Sequence, residues 1–142
     1  MPILFQNTTF HILPAKEIQI QTWLTHLALS ENFKIGKLSY IFVDDEKLHS
    51  INVEFLNHDT YTDIITFDYN QGSFVFGEIY VSMDRISENS KLQNQDFKTE
   101  LYRIIAHGLL HLVGYKDKSP TDKMIMTQKE DYYLSLLPQF LD

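Results

Sequence analysis

Two histidines spaced one helical turn apart carry the most specific chemistry in this sequence. The string HGLLHLVGYKD, residues 107–117, places His107 and His111 four positions apart, followed by Gly114 and Asp117. Side chains at positions i and i+4 share one helix face, so two imidazole nitrogens can bind one ion at about 2.0 to 2.1 Å. Gly114 permits a sharp reversal that brings the Asp117 carboxylate back toward them. The spacing therefore predicts one zinc ion on His107, His111 and Asp117.

The helix that carries these histidines is otherwise apolar, which indicates burial on most sides. Glu100, Arg103, His107 and His111 fall within a wedge of about 80° on a helical projection. We expect this helix to run from about Asp96 to Val113, with its polar stripe facing something other than core. On that stripe we favour a structural ion pair between Glu100 and Arg103.

The same string has the spacing of the metzincin zinc signature, H-E-x-x-H-x-x-G-x-x-H, with two changes. Asp117 replaces the last histidine and keeps a ligand, whereas Gly108 stands where those peptidases carry the glutamate that acts as general base. The base must then be another carboxylate, such as Glu78 or Asp63, or the substrate itself. A zinc peptidase or other zinc hydrolase stays a rival interpretation, opposed by Gly108.

The remaining histidines and a tyrosine pair suggest no second site. Four histidines have no partner at ligand spacing: His11, His26, His49 and His58. We interpret them as ordinary surface or half-buried residues and keep only His58 open. Tyr132 and Tyr133 are predicted to serve in packing on the final helix.

The elements that must position the site alternate between helical and strand patterns. In chain order we predict an amphipathic helix in 15–32, a strand in 38–43 opened by Gly36, a helix in 45–56, strands in 63–69 and 74–82 joined by a hairpin-like turn, a short helix with a loop in 83–95, the histidine helix, and a helix from Ser119 to about Leu137. This order predicts an α+β fold: a small mixed β-sheet of about four strands with about five helices, and a metal site at the end of a buried helix.

Length, charge and composition limit the function classes. The 142 residues fit one domain, 1–142, without repeats or linkers. There is no cysteine, signal-peptide pattern or membrane-spanning apolar run, so we expect a soluble cytoplasmic protein with no membrane partner. With 12 basic and 19 acidic residues, the formal charge of −7 argues against a broad basic surface for nucleic acid. A local positive groove stays open, and zinc would add two charges.

At three blocks the chain resembles the bacterial YbeY family. HGLLHLVGYKD is similar to the family signature H-G-x-L-H-L-x-G-Y-D-H. INVEFLNHDTYTDIITFDY is similar to L-N-x-x-x-R followed by T-D-V-L-S-F, and FGEI resembles its G-D-I strand. The resemblance, spanning roughly residues 51–117, implies a single-metal endoribonuclease in 16S rRNA 3′-end maturation and ribosome quality control. It also implies ribosomal partners and a mixed sheet with surrounding helices.

The sequence departs from this family pattern at three positions. The family's third histidine falls on Asp117 and its preceding aspartate on Lys116, so metal affinity or identity can differ. The family's arginine falls on Leu56, which removes a cation expected to contact phosphate. The cations that could replace it are Arg85, Arg103, Lys116 and Lys118, of which Lys116 and Lys118 rank first because they flank a proposed ligand.

The combined expectation is a zinc endoribonuclease that acts on single-stranded RNA lying across a cleft. Unpaired nucleotides can splay against aromatic and basic groups, whereas a small acidic protein lacks the surface to grip a duplex. We expect Thr62, Asp63 and Glu78 to line the site. The second rival is a non-catalytic, ribosome-associated module that keeps zinc for stability, suggested by Leu56 and the acidic charge.

Overall fold

The computed structural model of the chain describes residues 2–6, 13–58 and 62–141, so His11 lies outside the described residues. Its elements, in chain order, are β1 (Ile3–Gln6), α1 (Glu17–Ser30), β2 (Lys34–Val43), α2 (Asp45–Leu56), β3 (Ile64–Asp68), β4 (Phe74–Ser82), α3 (Met83–Leu92), α4 (Phe97–Leu112), α5 (Pro120–Leu136) and a short 3₁₀ helix (Leu137–Gln139).

The sheet is mixed, as the sequence predicts. Its strand order is β1-β2-β4-β3, in which β1, β2 and β4 run parallel and β3 is antiparallel to β4. Four strands and five α-helices in the described residues confirm the α+β class. The sequence analysis did not predict strand β1. Strand β2 begins at Lys34, earlier than predicted, and its pairing with β4 shifts register between Ile35 and Lys37. No helix among these ranges is both long and apolar enough to cross a membrane.

The two faces of the sheet differ in what covers them. Alternate residues of β4, from Val75 to Val81, lie in the main core, which the sheet forms with α1, α4 and α5. On the other face α2 covers a smaller core that includes Leu48 and Ile65. Because side chains of a strand alternate between faces, Glu78 lies on the side of the sheet opposite α4.

At Gly108, α4 lies in close contact with the sheet. A Cβ atom there would lie 2.9 Å from Cδ1 of Ile79 and 3.1 Å from Cδ1 of Ile64. A larger side chain would require Ile79 and Ile64 to move, or α4 to shift away from β3 and β4. The position that holds the peptidase glutamate in the metzincin signature therefore faces the sheet in this chain.

Local signals set the ends of α4 and α5. The Asp96 side chain accepts a hydrogen bond from the Thr99 amide at 2.8 Å, which caps the start of α4. After the helix, Gly114 has a φ of 110°, in the region that favours glycine. Ser119 caps α5 and Pro120 takes its first position, as predicted. The segment between the two helices carries Asp117 and places it beside α4.

Candidate metal centre

The structure brings the three predicted ligands together. The rings of His107 and His111 lie 4.5 Å apart between centroids and are nearly perpendicular, at 83°. Nε2 of His107 lies 3.7 Å from Oδ2 of Asp117, and one ligand atom from each residue lies within 4.8 Å of the others. Ligand atoms on a tetrahedral zinc lie about 3.3 Å apart, so a small inward movement would complete the site.

Hydrogen bonds on the far side of each ring orient the two histidines. Nδ1 of His107 lies 2.5 Å from Oε2 of Glu130, and Nδ1 of His111 lies 2.9 Å from the carbonyl oxygen of Tyr115. A carbonyl can only accept, so Nδ1 of His111 carries the proton. Both Nε2 atoms are then available to a metal ion, and that of His107 faces Asp117. This arrangement is typical of metal-binding histidines, and two imidazoles with one carboxylate suit zinc.

Glu130, on α5, contacts the candidate ligand His107, a contact that the sequence did not predict. Its Oε1 accepts from Nη1 of Arg103 at 2.8 Å while Oε2 bonds His107, and its side chain is only 8% exposed. Arg103 also bonds Asp131 at 2.7 Å. The expected Glu100–Arg103 pair is therefore corrected, because Arg103 turns toward α5. An acidic residue at helical spacing from the buried Met126 was the available signal.

The pKa values of the two histidines shift in opposite directions because their neighbours differ. Burial alone would lower the pKa of His107, but the hydrogen bond and negative charge of Glu130 outweigh it and raise that pKa. Burial lowers the pKa of His111, and the neighbouring His107 lowers it further. His111 therefore offers a neutral ring to a metal at neutral pH, whereas a metal must displace a more firmly held proton from His107.

A cavity of about 170 Å³ lies beside His107. Its lining residues are mostly polar: Asp63, Asn89, Gln93, Glu100, Arg103, Ile104, His107, Asp117 and Glu130. Asp63, one of the two predicted base candidates, is thus brought to the site, with Nδ2 of Asn89 3.5 Å from its Oδ2. Burial raises the pKa of Asp63, and it also raises the pKa of Glu100.

Glu78, the other base candidate, requires a correction. It lines a separate cavity with Lys37, Ser39 and Tyr69, and Tyr69 Oη donates to its Oε1 at 3.4 Å. The alternation of β4 sends this carboxylate to the face opposite α4 and the histidines.

Most of the other predicted groups do not line the cavity. Lys116 and Lys118 are exposed, and neither lines the cavity. Thr62 Oγ1 donates to the carbonyl of Ile64 at 3.4 Å. Arg85 pairs with Asp45 at 3.0 Å. Of the four candidate cations, Arg103 is the one that reaches the cavity.

The three described histidines outside the site and the tyrosine pair lie at surface, half-buried or core positions. His26 and His58 are exposed and His49 is half-buried. Tyr133 is buried in the core, and Tyr132 is exposed.

Comparisons with known proteins point to one family. A family model described as "Endoribonuclease YbeY" matches residues 4–138. A protein of that name from Flavobacterium johnsoniae is 51% identical over 114 residues, covering 80% of this chain and 82% of that protein. Another, from Bacteroides thetaiotaomicron, is 37% identical and covers 96% and 99%. The solution structure of TM1509 from Thermotoga maritima has a TM-score of 0.67 at 26% identity, covering 95% of this chain and 87% of that one.

Proposed function

The chain belongs to the YbeY endoribonuclease family, and on that premise we propose that it is a zinc-dependent enzyme that cleaves single-stranded RNA. The observation that carries the zinc assignment is the cluster of His107, His111 and Asp117, in which hydrogen bonds on Nδ1 leave both histidine Nε2 atoms available. When bound, zinc supplies Lewis-acid chemistry, which polarises a phosphate oxygen and makes water a stronger acid.

The chain's own groups then divide the remaining tasks. Asp63, in the same cavity as His107, takes the proton of the attacking water at a carboxylate oxygen. Glu130 fixes the ring of His107, and the carbonyl of Tyr115 fixes that of His111. The exposed Lys116 and Lys118, next to Asp117, contact flanking phosphates in place of the arginine that Leu56 replaces.

We assign the substrate as ribosomal RNA, at the 3′ end of 16S rRNA, with a further role in ribosome quality control. Family membership supports this substrate and the ribosome as partner, in the cytoplasm. The net charge of −7 favours a single strand, because a small acidic protein has little surface with which to hold the phosphates of a duplex.

Of the two rival functions, the structure argues against the zinc peptidase. Gly108, at the position of the peptidase base, packs against Ile79 and Ile64, and a glutamate there would have to displace these side chains. The non-catalytic zinc module is separated from the enzyme by experiment.

The test compares zinc content and cleavage of single-stranded RNA in the wild type, His111→Ala and His26→Ala, the last an exposed histidine as control. We expect one zinc per chain and cleavage in the wild type and the control, and neither in His111→Ala. Asp63→Asn should keep zinc and lose cleavage.

Each other result has a definite meaning. A folded wild type without zinc would refute the zinc site. Zinc with no cleavage by the wild type would favour the non-catalytic module, and cleavage by Asp63→Asn would remove Asp63 as the base.

A further inference from the structure

A cavity of about 370 Å³, here called the sheet cavity, opens on the face of the sheet opposite α4. Its volume lies within the range of about 300 to 1,000 Å³ that is usual for small-molecule sites. The α2 helix packs over the other end of this face, at Ile41 and Ile65. Strands and the turn between β3 and β4 line the sheet cavity with aromatic, charged and amide side chains, including Gln6, Lys37, Ser39, Tyr69, Phe76 and Glu78.

Two aromatic rings line the sheet cavity, and the backbone makes room for one of them. A Cβ atom at Gly36 would lie 2.7 Å from Cε1 of Phe76, so the missing side chain lets this ring lie over the strand. The pairing of β2 with β4 shifts register at the same place, and such bulges commonly redirect neighbouring side chains. Tyr69, in the second ring, is 55% exposed. Exposed aromatic rings of this kind stack on unpaired bases.

The charged groups of the sheet cavity are little used by the fold. Glu78 is half-buried, and its Oε1 accepts a hydrogen bond from Tyr69 Oη at 3.4 Å, which is long for a hydroxyl donor. Within the described residues the Glu78 carboxylate makes no other hydrogen bond or ion pair. Lys37, opposite Phe76 in the register, is exposed and forms no ion pair in the same ranges. A pair of carboxylate oxygens and a cation are therefore available to a ligand.

We propose that the sheet cavity binds an unpaired guanine base of RNA. Guanine is the RNA base whose Watson–Crick edge presents two adjacent N–H donors, at N1 and N2, and the two oxygens of Glu78 can accept both. Adenine would instead turn its N1 acceptor toward the carboxylate, which disfavours it. Tyr69 and Phe76 supply stacking surface for the base, and Lys37 supplies a cation for a neighbouring phosphate.

The turn between β3 and β4 connects the sheet cavity to the metal centre. Asn70 donates from Nδ2 to the carbonyl oxygen of Leu112 at 2.6 Å, and its Oδ1 accepts from the Phe76 amide at 2.9 Å. Leu112 directly follows the ligand His111 on α4. Because β3 is an edge strand, a single strand of RNA can pass around it from one face to the other. This part of the inference rests on the proposed nuclease function: guanine held here would position a nearby phosphodiester for cleavage.

The experiment titrates the zinc-loaded protein with GMP, IMP and AMP and follows backbone amide shifts by NMR. The three nucleotides carry the same phosphate, so any binding of phosphate to the metal affects them equally. We expect GMP to shift the amides of Ser39, Gly77 and Glu78 and to bind about tenfold or more tightly than AMP. IMP, which lacks the 2-amino group, should lie between them.

Two variants separate recognition of the base edge from stacking. Glu78→Gln should weaken GMP binding by about tenfold and abolish the preference over AMP. Tyr69→Leu should weaken all three nucleotides by a similar factor, because stacking is tolerant of base identity. Glu88→Gln, an acid 60% exposed on α3, is the matched control and should bind the nucleotides as the wild type does.

A second titration separates RNA from free nucleotide as the source of the guanine. It compares a short oligouridylate that carries one guanosine with one that carries one adenosine, and the first should bind more tightly. Equal binding of the two oligonucleotides beside a preference for GMP would overturn RNA as the ligand.

Two further outcomes would overturn the guanine site. These are equal binding of GMP and AMP by the wild type, and a preference for GMP that survives in Glu78→Gln. All these measurements record binding, so failure of the guanine site is distinguishable from failure of the nuclease proposal.

Discussion

Two clusters of largely buried polar residues contain carboxylates, and they differ in how well those carboxylates are supplied with hydrogen-bond donors. The cavity cluster consists of Asp63, Glu100 and Glu130. The tyrosine cluster consists of Glu31, Tyr115, Lys129 and Tyr133. Its single carboxylate accepts from Tyr115 Oη at 2.6 Å, from Lys129 Nζ at 3.3 Å and from Tyr133 Oη, and the Glu31 side chain is 11% exposed.

The pKa of a glutamate is lowered in the tyrosine cluster and raised in the cavity cluster. Burial would raise the pKa of Glu31, but the hydrogen bonds from Tyr115 and Tyr133, together with Lys129, outweigh it and lower that pKa. Burial raises the pKa of Glu100, and the charge of Arg103 does not reverse it. A buried carboxylate surrounded by donors serves as structure, whereas one short of donors is left able to bind a proton or a cation.

Each cluster holds one of the histidine ligands. Glu130 bonds the His107 ring directly, whereas Glu31 acts at one remove, by holding the Tyr115 side chain whose backbone carbonyl bonds His111. We therefore expect replacement of Glu130 to weaken zinc binding more than replacement of Glu31 does.

The largest effect is expected from Glu130→Gln, which removes the charge behind His107. Loss of such an outer carboxylate typically weakens metal binding by about 10- to 100-fold. Asp131→Asn is the control, because Asp131 also bonds Arg103 but is 60% exposed and does not contact His107. Zinc competition with a chromogenic chelator measures the change. Equal zinc affinity in wild type and Glu130→Gln would show that Glu130 has no part in holding the ligand.

A smaller effect, on stability, is expected from Glu31→Gln. Losing charged hydrogen bonds in a buried cluster should lower the free energy of unfolding by about 1 to 3 kcal/mol at neutral pH. Because the folded pKa of Glu31 is lowered from 4.5, its contribution is present above that pH and is lost as pH falls through the folded value.

Denaturant unfolding of metal-free protein across this range tests the tyrosine cluster. The gap between wild type and Glu31→Gln should close in acid, while Glu88→Gln, at a side chain 60% exposed, should show little gap at any pH. A gap that stays constant with pH would contradict the role of the Glu31 charge.

The parts of the site that the sequence predicts are those set by local chain geometry. His107, His111 and Asp117 lie within eleven residues, and a helix end closed by Gly114 is enough to bring them together. The predicted limits of α4, at about Asp96 and Val113, differ from the observed helix by one residue at each end.

The parts that the sequence does not predict depend on tertiary packing. Glu130 reaches His107 across 23 positions because α5 packs on α4, and no local pattern records that contact. The alternation of β4 was readable and separates Glu78 from Ile79, yet it does not say which face α4 will cover. The face that α4 covers is seen only in the folded chain, where Gly108 contacts Ile79.

The smallest effect is expected from Glu100→Gln on the stability of the metal-free protein. Its dependence on pH should be opposite to that of Glu31→Gln. A neutral amide is easier to bury than a carboxylate without a partner, so the free energy of unfolding at neutral pH should stay level or rise by up to about 1 kcal/mol. The folded pKa of Glu100 is raised above 4.5, so its protonated form favours folding below that pH, and the benefit is lost as pH rises through the folded value. As the pH falls, the free energy of unfolding of the wild type should therefore rise relative to that of Glu100→Gln. Over the same pH range, it should fall relative to that of Glu31→Gln. If the stability difference between wild type and variant changed with pH in the same direction for both glutamates, the distinction between the clusters would be refuted.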